Sequence, residues 1–123
     1  MTKTRFSVYD AIVIDLYTGL TWQRNVHEDR FKLEEAQLYA AELRLGGYDW
    51  RVPTKDELLR IIDRSRHDPA IDVEAFPDTP SEYFWTVSPH AGSSDLAWIV
   101  DFNSGGSDVD DVHSLYRVRC VRG

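Results

Sequence analysis

The stretch that decides the fold covers residues 45–58, LGGYDWRVPTKDEL, where one helix is predicted to end and another to begin. Gly46 and Gly47 can adopt the positive φ angles that terminate a preceding helix. Thr54 and Glu57 have the spacing of a capping box, whose side chains satisfy the first N–H groups of the next helix. Because the connection between the two helices is short, we expect Trp50 to be fixed in the core beneath them.

Helical periodicity on both sides of this connection predicts two amphipathic helices. The second covers residues 54 to about 64 and is expected to bury Leu58, Ile61 and Ile62. Since each helix is apolar on one side only, both must pack against another layer. The first covers residues 32–45, and its apolar stripe consists of Leu33, Ala36, Ala40 and Leu43, widened by Leu38, Ala41 and Leu45.

Three other segments have the composition of β-strands. Residues 8–24 carry β-branched and aromatic side chains around a turn at Gly19, which predicts a hairpin or a bent pair of strands. Residues 96–102 are predicted to be a strand with Trp98, Val100 and Phe102 on one face. Residues 115–121 alternate and predict a half-buried strand. Its two faces are Tyr116, Val118 and Cys120 on one side and Arg117 and Arg119 on the other.

The order of these elements indicates an α+β fold in a single domain, residues 1–123. An antiparallel sheet is expected to join both chain ends, with two flanking helices and a long loop region. That loop region covers residues 67–94 and holds four of the five prolines, and long irregular segments in small domains are usually functional. The expected structural core includes Trp22, Trp50, Trp98 and Cys120.

Composition limits the class of protein. No apolar run approaches the roughly 20 residues that span a bilayer, and the first residues do not form a signal segment, so we expect a cytoplasmic protein without membrane contact. The only cysteine, Cys120, cannot form a disulfide within the chain, which fits a reducing compartment. We expect its thiol to be a small buried apolar group, and a reactive thiol is the alternative.

The negative charge is concentrated in one part of the sequence. The chain has a formal net charge of −7, yet residues 67–116 contain ten acids and no lysine or arginine. Because phosphate and sulfate groups need basic partners, this half is not expected to bind nucleic acid or sulfated glycans. It favours a basic protein surface or a divalent cation, and the alternative is that the acids only solvate long loops. The acids are Asp68, Asp72, Glu74, Asp78, Glu82, Asp95, Asp101, Asp108, Asp110 and Asp111.

No motif in the sequence predicts catalysis or a metal site. Residues 101–106, DFNSGG, resemble the start of a calcium loop, but Val112 stands where a bidentate glutamate is required, so a plain hairpin turn is favoured and calcium is a minor alternative. The histidines are dispersed, without the spacing of a zinc site. Arg51 could bind an anion, although a structural role is favoured, either as a pair with Asp49 or a helix carboxylate or as a cation on an aromatic face.

Candidate binding residues combine the acids with an aromatic cluster at the end of the loop region. Exposed tyrosine and tryptophan side chains are common anchors of protein interfaces. Since alternate residues of a strand face opposite ways, Phe84 is expected to point away from its two neighbours, with one side in the core. The predicted binding set is Tyr83, Trp85, Asp95, Asp101, Asp108, Asp110 and Asp111.

Several segments together resemble the Lcl C-terminal domain family, a bacterial and phage-associated domain with similarity to C-type-lectin-like and formylglycine-generating-enzyme-like folds. The resemblance implies a C-type-lectin-like fold, and in a collagen-like adhesin the domain is associated with sulfated glycans. The lectin calcium signatures and the paired active-site cysteines are absent here, and Ala40 stands where members often have a cysteine. The matching segments are residues 18–24, 45–54, 57–58, 76–80, 85–86, 97–102 and 117–122.

Three functional hypotheses follow from these residues. The first is a non-catalytic recognition module that binds a protein partner through its acidic, aromatic-containing loop face. The second is a carbohydrate-binding adhesion module, with or without calcium. The third is an enzyme that uses Cys120 or the carboxylates, and the sequence favours it least.

Overall fold

Residues 4–123, the part of the chain described by the computed structural model, form two antiparallel sheets, two α-helices and one 3-10 helix. This arrangement confirms an α+β fold. In chain order the elements are β1 (Phe6–Val8), β2 (Ile12–Asp15), β3 (Thr21–Gln23), α1 (Leu33–Leu43), the 3-10 helix (Leu45–Gly47), α2 (Lys55–Arg60), β4 (Tyr83–His90), β5 (Ser93–Asp101), β6 (Ser107–Asp111) and β7 (Val121–Arg122).

The first sheet joins the two ends of the chain, as predicted. Its strand order is β1-β2-β3-β7, and Trp22 in β3 is paired with Val13 on one side and Val121 on the other. The predicted hairpin is formed by β2 and β3 around Gly19, whose φ of 78° is unfavourable for other residues. β1 adds an edge strand that extends the sheet beyond the predicted pair.

The second sheet, with the order β4-β5-β6, corrects the prediction that residues 67–94 are a loop region. Residues 83–90 and 93–94 belong to β4 and β5, so the irregular segment covers residues 61–82. Because proline is uncommon inside strands, Pro89 favoured a loop over a strand in the prediction for these residues. The β4–β5 register shifts on both sides of Pro89, and such an irregularity accommodates a residue that has no N–H to donate.

The connection between the helices has the predicted capping box at Thr54, but the first helix ends earlier than the glycines predicted for its termination. α1 ends at Arg44 in the left-handed conformation, and Gly46 and Gly47 follow with φ of 68° and 80°. Thr54 accepts the N–H of Glu57, whose carboxylate accepts the N–H of Thr54 at 2.9 Å. Trp50 is 5% exposed and donates its indole N–H to the carbonyl of Leu45.

Helix α2 is shorter than predicted because local hydrogen bonds compete with its last turn. The Asp63 carboxylate accepts both the N–H and the hydroxyl of Ser65, and the Asp63 N–H is donated to Ala70. Aspartate favours such turns over the helix interior. The helix therefore ends at Arg60, and Ile61 is buried outside it.

The second sheet lies between two hydrophobic clusters. Phe84 and Val100 pack with Trp22 and Leu58 in one cluster, whereas the alternate side chains of the same strands pack in the other. That second cluster contains Ala36, Ala40, Trp50, Trp85, Ile99 and Cys120. Burial on both faces explains why β4 and β5 carry near-continuous apolar runs at these positions.

Trp22, Trp50 and Cys120 are buried core residues, as predicted, but Trp98 is not. Trp98 is only partly buried, and the Lys55 Nζ atom lies 3.6 Å from the centroid of its ring. The prediction assigned Trp98 to the same buried face as Val100 and Phe102. On that face the core cluster includes Val100 and Phe102, whereas Trp98 stands beside Lys55 of α2 and the ring of His90 and stays partly exposed.

The C-terminal segment also differs from the predicted half-buried strand. Only Val121–Arg122 pairs regularly, and Tyr116 and Arg117 form isolated bridges to Phe31 and Phe84. Arg119 was expected on the exposed face but is completely buried. Its guanidinium donates to the carbonyls of Gln23 and Arg24, each at 2.7 Å, and these bonds make burial of the cation possible.

None of the helices within residues 4–123 is long and apolar enough to cross a membrane.

Candidate functional site

The second sheet gathers four of the predicted binding residues on one face. Tyr83 is paired with Asp101 across β4 and β5, and Asp108 and Asp110 are paired with Ile99 and Ala97 across β5 and β6. Cross-strand partners share a face, and residues two apart on a strand do so as well. Together with Tyr116, which packs over them, Tyr83, Asp101, Asp108 and Asp110 form what we call the tyrosine–aspartate face.

Tyr116 connects the C-terminal segment to this face. Its ring lies edge-on to Tyr83 and Trp85, with centroid distances of 5.8 and 5.2 Å, and its hydroxyl donates to the Asp110 carboxylate. Burial, followed by the bond to Asp110, raises the pKa of Tyr116 to about 12. The same hydroxyl and the N–H of Asp111 lower the pKa of Asp110, so this carboxylate is ionised at neutral pH.

Trp85 shares this face by position but is a core residue, which corrects its prediction as a binding residue. It is fully buried, and its indole N–H donates to the carbonyl of Phe31 at 2.6 Å. The alternation rule predicted that one side of β4 faces solvent. Because the sheet is covered on both sides here, Phe84 and Trp85 are both inaccessible to a ligand.

Asp111 does not join the tyrosine–aspartate face, and Asp95, which has the strand phase of Ala97, lies beyond its end. Asp111 is one residue out of phase with Asp110, and its carboxylate accepts the N–H of His113 at 2.7 Å. Asp95 is exposed at the opposite end of β5 from Asp101. Of the five predicted acids, Asp101, Asp108 and Asp110 therefore lie together on the face, Asp95 lies beyond its end, and Asp111 is turned away from it.

The aspartates of the face carry uncompensated charge. Among residues 4–123, no lysine, arginine or histidine forms an ion pair with Asp101, Asp108 or Asp110. Glu82 lies next to the face in sequence, yet it is bound by Arg30 at 2.7 Å and Arg117 at 2.9 Å. The face thus concentrates negative charge beside two partly exposed tyrosines.

Local hydrogen bonds show what the carboxylates do in the fold itself. Asp101 accepts the N–H of Asn103 at 2.8 Å and the hydroxyl of Ser104 at 3.0 Å, which makes residues 101–106 the plain hairpin turn favoured by the sequence. Asp108 accepts the N–H of Val109, and Asp110 that of Asp111. No group of three or more potential metal-binding side chains occurs in the described range, residues 4–123.

These bonds also close the free edge of β6. Hydrogen-bonded pairs alternate along antiparallel strands, and the bond from Val112 N to Asp95 O sets the phase. Val109 and Asp111 therefore direct their N–H groups away from β5. Because the preceding aspartates accept both groups, the edge presents carboxylates and few free donors, which disfavours addition of another strand.

Cys120 and Arg51 have structural environments. Cys120 is fully buried, and burial raises its pKa to about 12, which keeps the thiol in its protonated, less nucleophilic form at neutral pH. Arg51 forms two bonds of 2.7 Å with the Glu57 carboxylate, which confirms the structural pair predicted for it.

A groove beside α1 contains exposed apolar residues that the sequence prediction missed. It has a volume of about 620 Å³, and Leu38 and Leu115 line it with 59% and 54% of their surface exposed. The prediction placed Leu38 in the buried stripe of α1. The helical phase was an available signal, because Leu38 lies two residues from both Ala36 and Ala40 and so points away from the stripe they form.

The architecture defines an α+β domain with two antiparallel sheets and two α-helices. The sequence model of the Lcl C-terminal domain family matches residues 11–122, nearly the whole chain. The chain therefore belongs to the Lcl C-terminal domain family. No curated protein matches it.

Proposed function

We propose that this domain is a non-catalytic recognition module that binds a basic protein surface through the tyrosine–aspartate face. The observation that carries the proposal is the grouping of Asp101, Asp108 and Asp110, without ion pairs in the described range, around Tyr83 and Tyr116. Uncompensated charge of one sign accelerates association with an oppositely charged surface and excludes like-charged ones. A glycan with sulfate groups would be repelled.

The tyrosines supply the apolar part of this interaction. Both rings are partly buried and held by mutual edge-to-face contact, so little side-chain entropy remains to be lost on binding. The lowered pKa of Asp110 keeps its charge down to acidic pH. The face therefore combines rigid aromatic area with constant negative charge.

We also propose that the fold is C-type-lectin-like. Support comes from the sheet that joins both chain ends, the two helices, and a second sheet that follows a long irregular segment. A reducing, cytoplasmic setting is part of the proposal, because Cys120 is the only cysteine and is buried as a thiol.

Capture from a lysate of the native cell with three matched baits tests the function. The baits are the wild-type domain, the Asp108→Asn/Asp110→Asn variant and the Asp56→Asn variant. Asparagine keeps the local acceptor oxygen while removing the charge, and Asp56 is an exposed aspartate of α2, which packs with Val100 on the opposite face of the sheet. A specific partner should be retained by the wild type and Asp56→Asn and lost from the double variant.

Equal retention by all three baits would contradict the proposal. A glycan array run with the same three proteins separates the lectin alternative. Glycan binding that is insensitive to Asp108 and Asp110 would favour carbohydrate recognition elsewhere on the domain.

A further inference from the structure

The groove beside α1 has the properties of an anchoring site for an apolar side chain. Leu38 and Leu115 form its two exposed apolar walls, and Phe31 and Tyr39 also line it. The rings of Phe31 and Tyr39 are stacked with centroids 5.2 Å apart. The hydrogen bonds of Phe31 with Tyr116, at 2.7 and 3.0 Å, fix this wall to the C-terminal segment. The groove is therefore preformed.

The rim of the groove is acidic. Glu35, Leu38 and Glu42 follow one another at helical spacing, so α1 presents a leucine between two carboxylates on one exposed face. Asp29 adds a third carboxylate, while the one arginine of the lining, Arg30, is bound to Glu82 at 2.7 Å. The unbalanced charge around the leucines is negative.

The groove is continuous with the tyrosine–aspartate face through neighbouring residues of one segment. Leu115 lines the groove, whereas the next residue, Tyr116, packs on Tyr83 and donates to Asp110. Extended neighbours point in opposite directions, so this segment contributes to both surfaces at once.

We infer that this groove binds the apolar side of a basic amphipathic helix from the protein partner, with an aliphatic side chain between Leu38 and Leu115 and lysine or arginine residues against Glu35 and Glu42. The inference rests on the proposed function and names the anchor of that interaction. A second copy of this chain is a poor occupant, because it would bring the same carboxylates face to face. A partner helix with the opposite charge pattern satisfies both the leucines and the rim.

The test uses two synthetic helical peptides of equal positive charge, one with a leucine stripe among lysines and one with serine in place of leucine. Fluorescence anisotropy measures their binding to the domain. The leucine peptide is expected to bind about tenfold more tightly than the serine peptide. Leu38→Gln and Leu115→Gln should remove this difference, and Leu16→Gln should keep it, since Leu16 is equally exposed, at 58%, on the β2–β3 turn.

Equal affinity of the two peptides, or an equal effect of all three leucine variants, would contradict the inference that the groove anchors an aliphatic side chain of the partner. The charge variant Asp108→Asn/Asp110→Asn distinguishes this failure from failure of the proposed function. If it weakens both peptides while Leu38→Gln weakens neither, the acidic face binds and the groove does not. Sedimentation that reveals a dimer of the free domain, lost in Leu38→Gln, would assign the groove to a second copy and overturn the partner helix.

Discussion

The irregular segment of residues 61–82 and the hairpin of β5 and β6 are both acidic, but the fold treats them differently. Arginines from distant parts of the chain bind the irregular segment: Arg119 donates to Thr79, Arg24 to the carbonyl of Ala75, and Arg30 and Arg117 to Glu82. No arginine or lysine within residues 4–123 forms an ion pair with the carboxylates of the hairpin. The arginines hold the irregular segment and one of its carboxylates, Glu82, whereas the carboxylates of the hairpin have no arginine or lysine partner in the described residues.

This difference shows why the acidic half of a sequence is not equivalent to an acidic surface. Residues 67–116 contain no lysine or arginine, yet folding brings arginines from other parts of the chain to Ala75, Thr79 and Glu82. Of the ten acids in that range, arginine binds Glu82, whereas Asp101, Asp108 and Asp110 are the ones that share a face with the two tyrosines. The two regions should therefore differ in how much their side chains contribute to stability.

The largest effect is expected from Arg119→Ala. Loss of this buried side chain leaves a cavity and removes the donors for three oxygen atoms, on Gln23, Arg24 and Thr79. Unfolding by urea should show a stability loss of about 3–5 kcal/mol. As a control, Arg122→Ala, which removes a cation from above the Tyr48 ring, should cost about 1 kcal/mol or less. Similar losses of stability for both variants would show that the buried hydrogen bonds of Arg119 do not stabilise the fold more than the Arg122 contact does.

A smaller effect is expected from neutralising one carboxylate in each region. Glu82→Gln breaks the contacts with Arg30 and Arg117 and should lower the free energy of unfolding by about 1 kcal/mol, allowing for partial solvent exposure. Asp108→Asn keeps its local acceptor and should change it by less than about 0.5 kcal/mol. Urea denaturation of the two variants, measured side by side, gives the two losses of stability. A greater loss in Asp108→Asn would show that Asp108, and not Glu82, is the carboxylate that stabilises the fold.

The pH dependence sharpens the same contrast. Hydrogen bonds from Arg117 and then Arg30 lower the pKa of Glu82 below its unfolded value, so its stabilising contribution is present above the unfolded pKa of about 4.3 and is lost as pH falls through the folded pKa. The stability difference between the wild type and Glu82→Gln should therefore be complete at pH 7 and shrink below about pH 4. A difference that persists unchanged at low pH would show that the glutamine variant acts through packing.

The smallest effect on stability is expected in the groove. Leu38→Gln replaces an exposed leucine on α1 with another good helix former, so the free energy of unfolding should change by less than about 0.5 kcal/mol. Thermal unfolding monitored by circular dichroism measures it. A loss above about 2 kcal/mol would indicate that Leu38 belongs to the core after all.

Local signals in the sequence were sufficient for the framework. The capping box of Thr54 and Glu57, the glycines after α1 and the β2–β3 hairpin each depend on residues close in sequence. These features also determine that Trp50 lies under the helices. The pairing of the C-terminal strand with β3 follows from placing both alternating ends in one sheet.

Two of the errors, at Trp85 and Arg119, have one physical origin: the alternation rule assumes that one face of a strand is exposed to solvent. Trp85 and Arg119 were assigned to accessible sides, yet a second layer covers each of them. Nothing near Arg119 in sequence reveals that carbonyls of Gln23 and Arg24 will accept its hydrogen bonds. The sequence likewise shows how many acids the chain contains but not which of them form ion pairs. Glu82 meets its two arginine partners only in the folded protein.

The dependence of affinity on ionic strength tests the central claim most directly. For the complex with the captured partner, the dissociation constant is measured by calorimetry across a salt series for the wild type and for Asp108→Asn/Asp110→Asn. Screening should weaken the wild-type complex steeply as salt rises and affect the double variant much less. Equal salt dependence of the two proteins, or affinity that does not change with salt, would contradict recognition through the tyrosine–aspartate face.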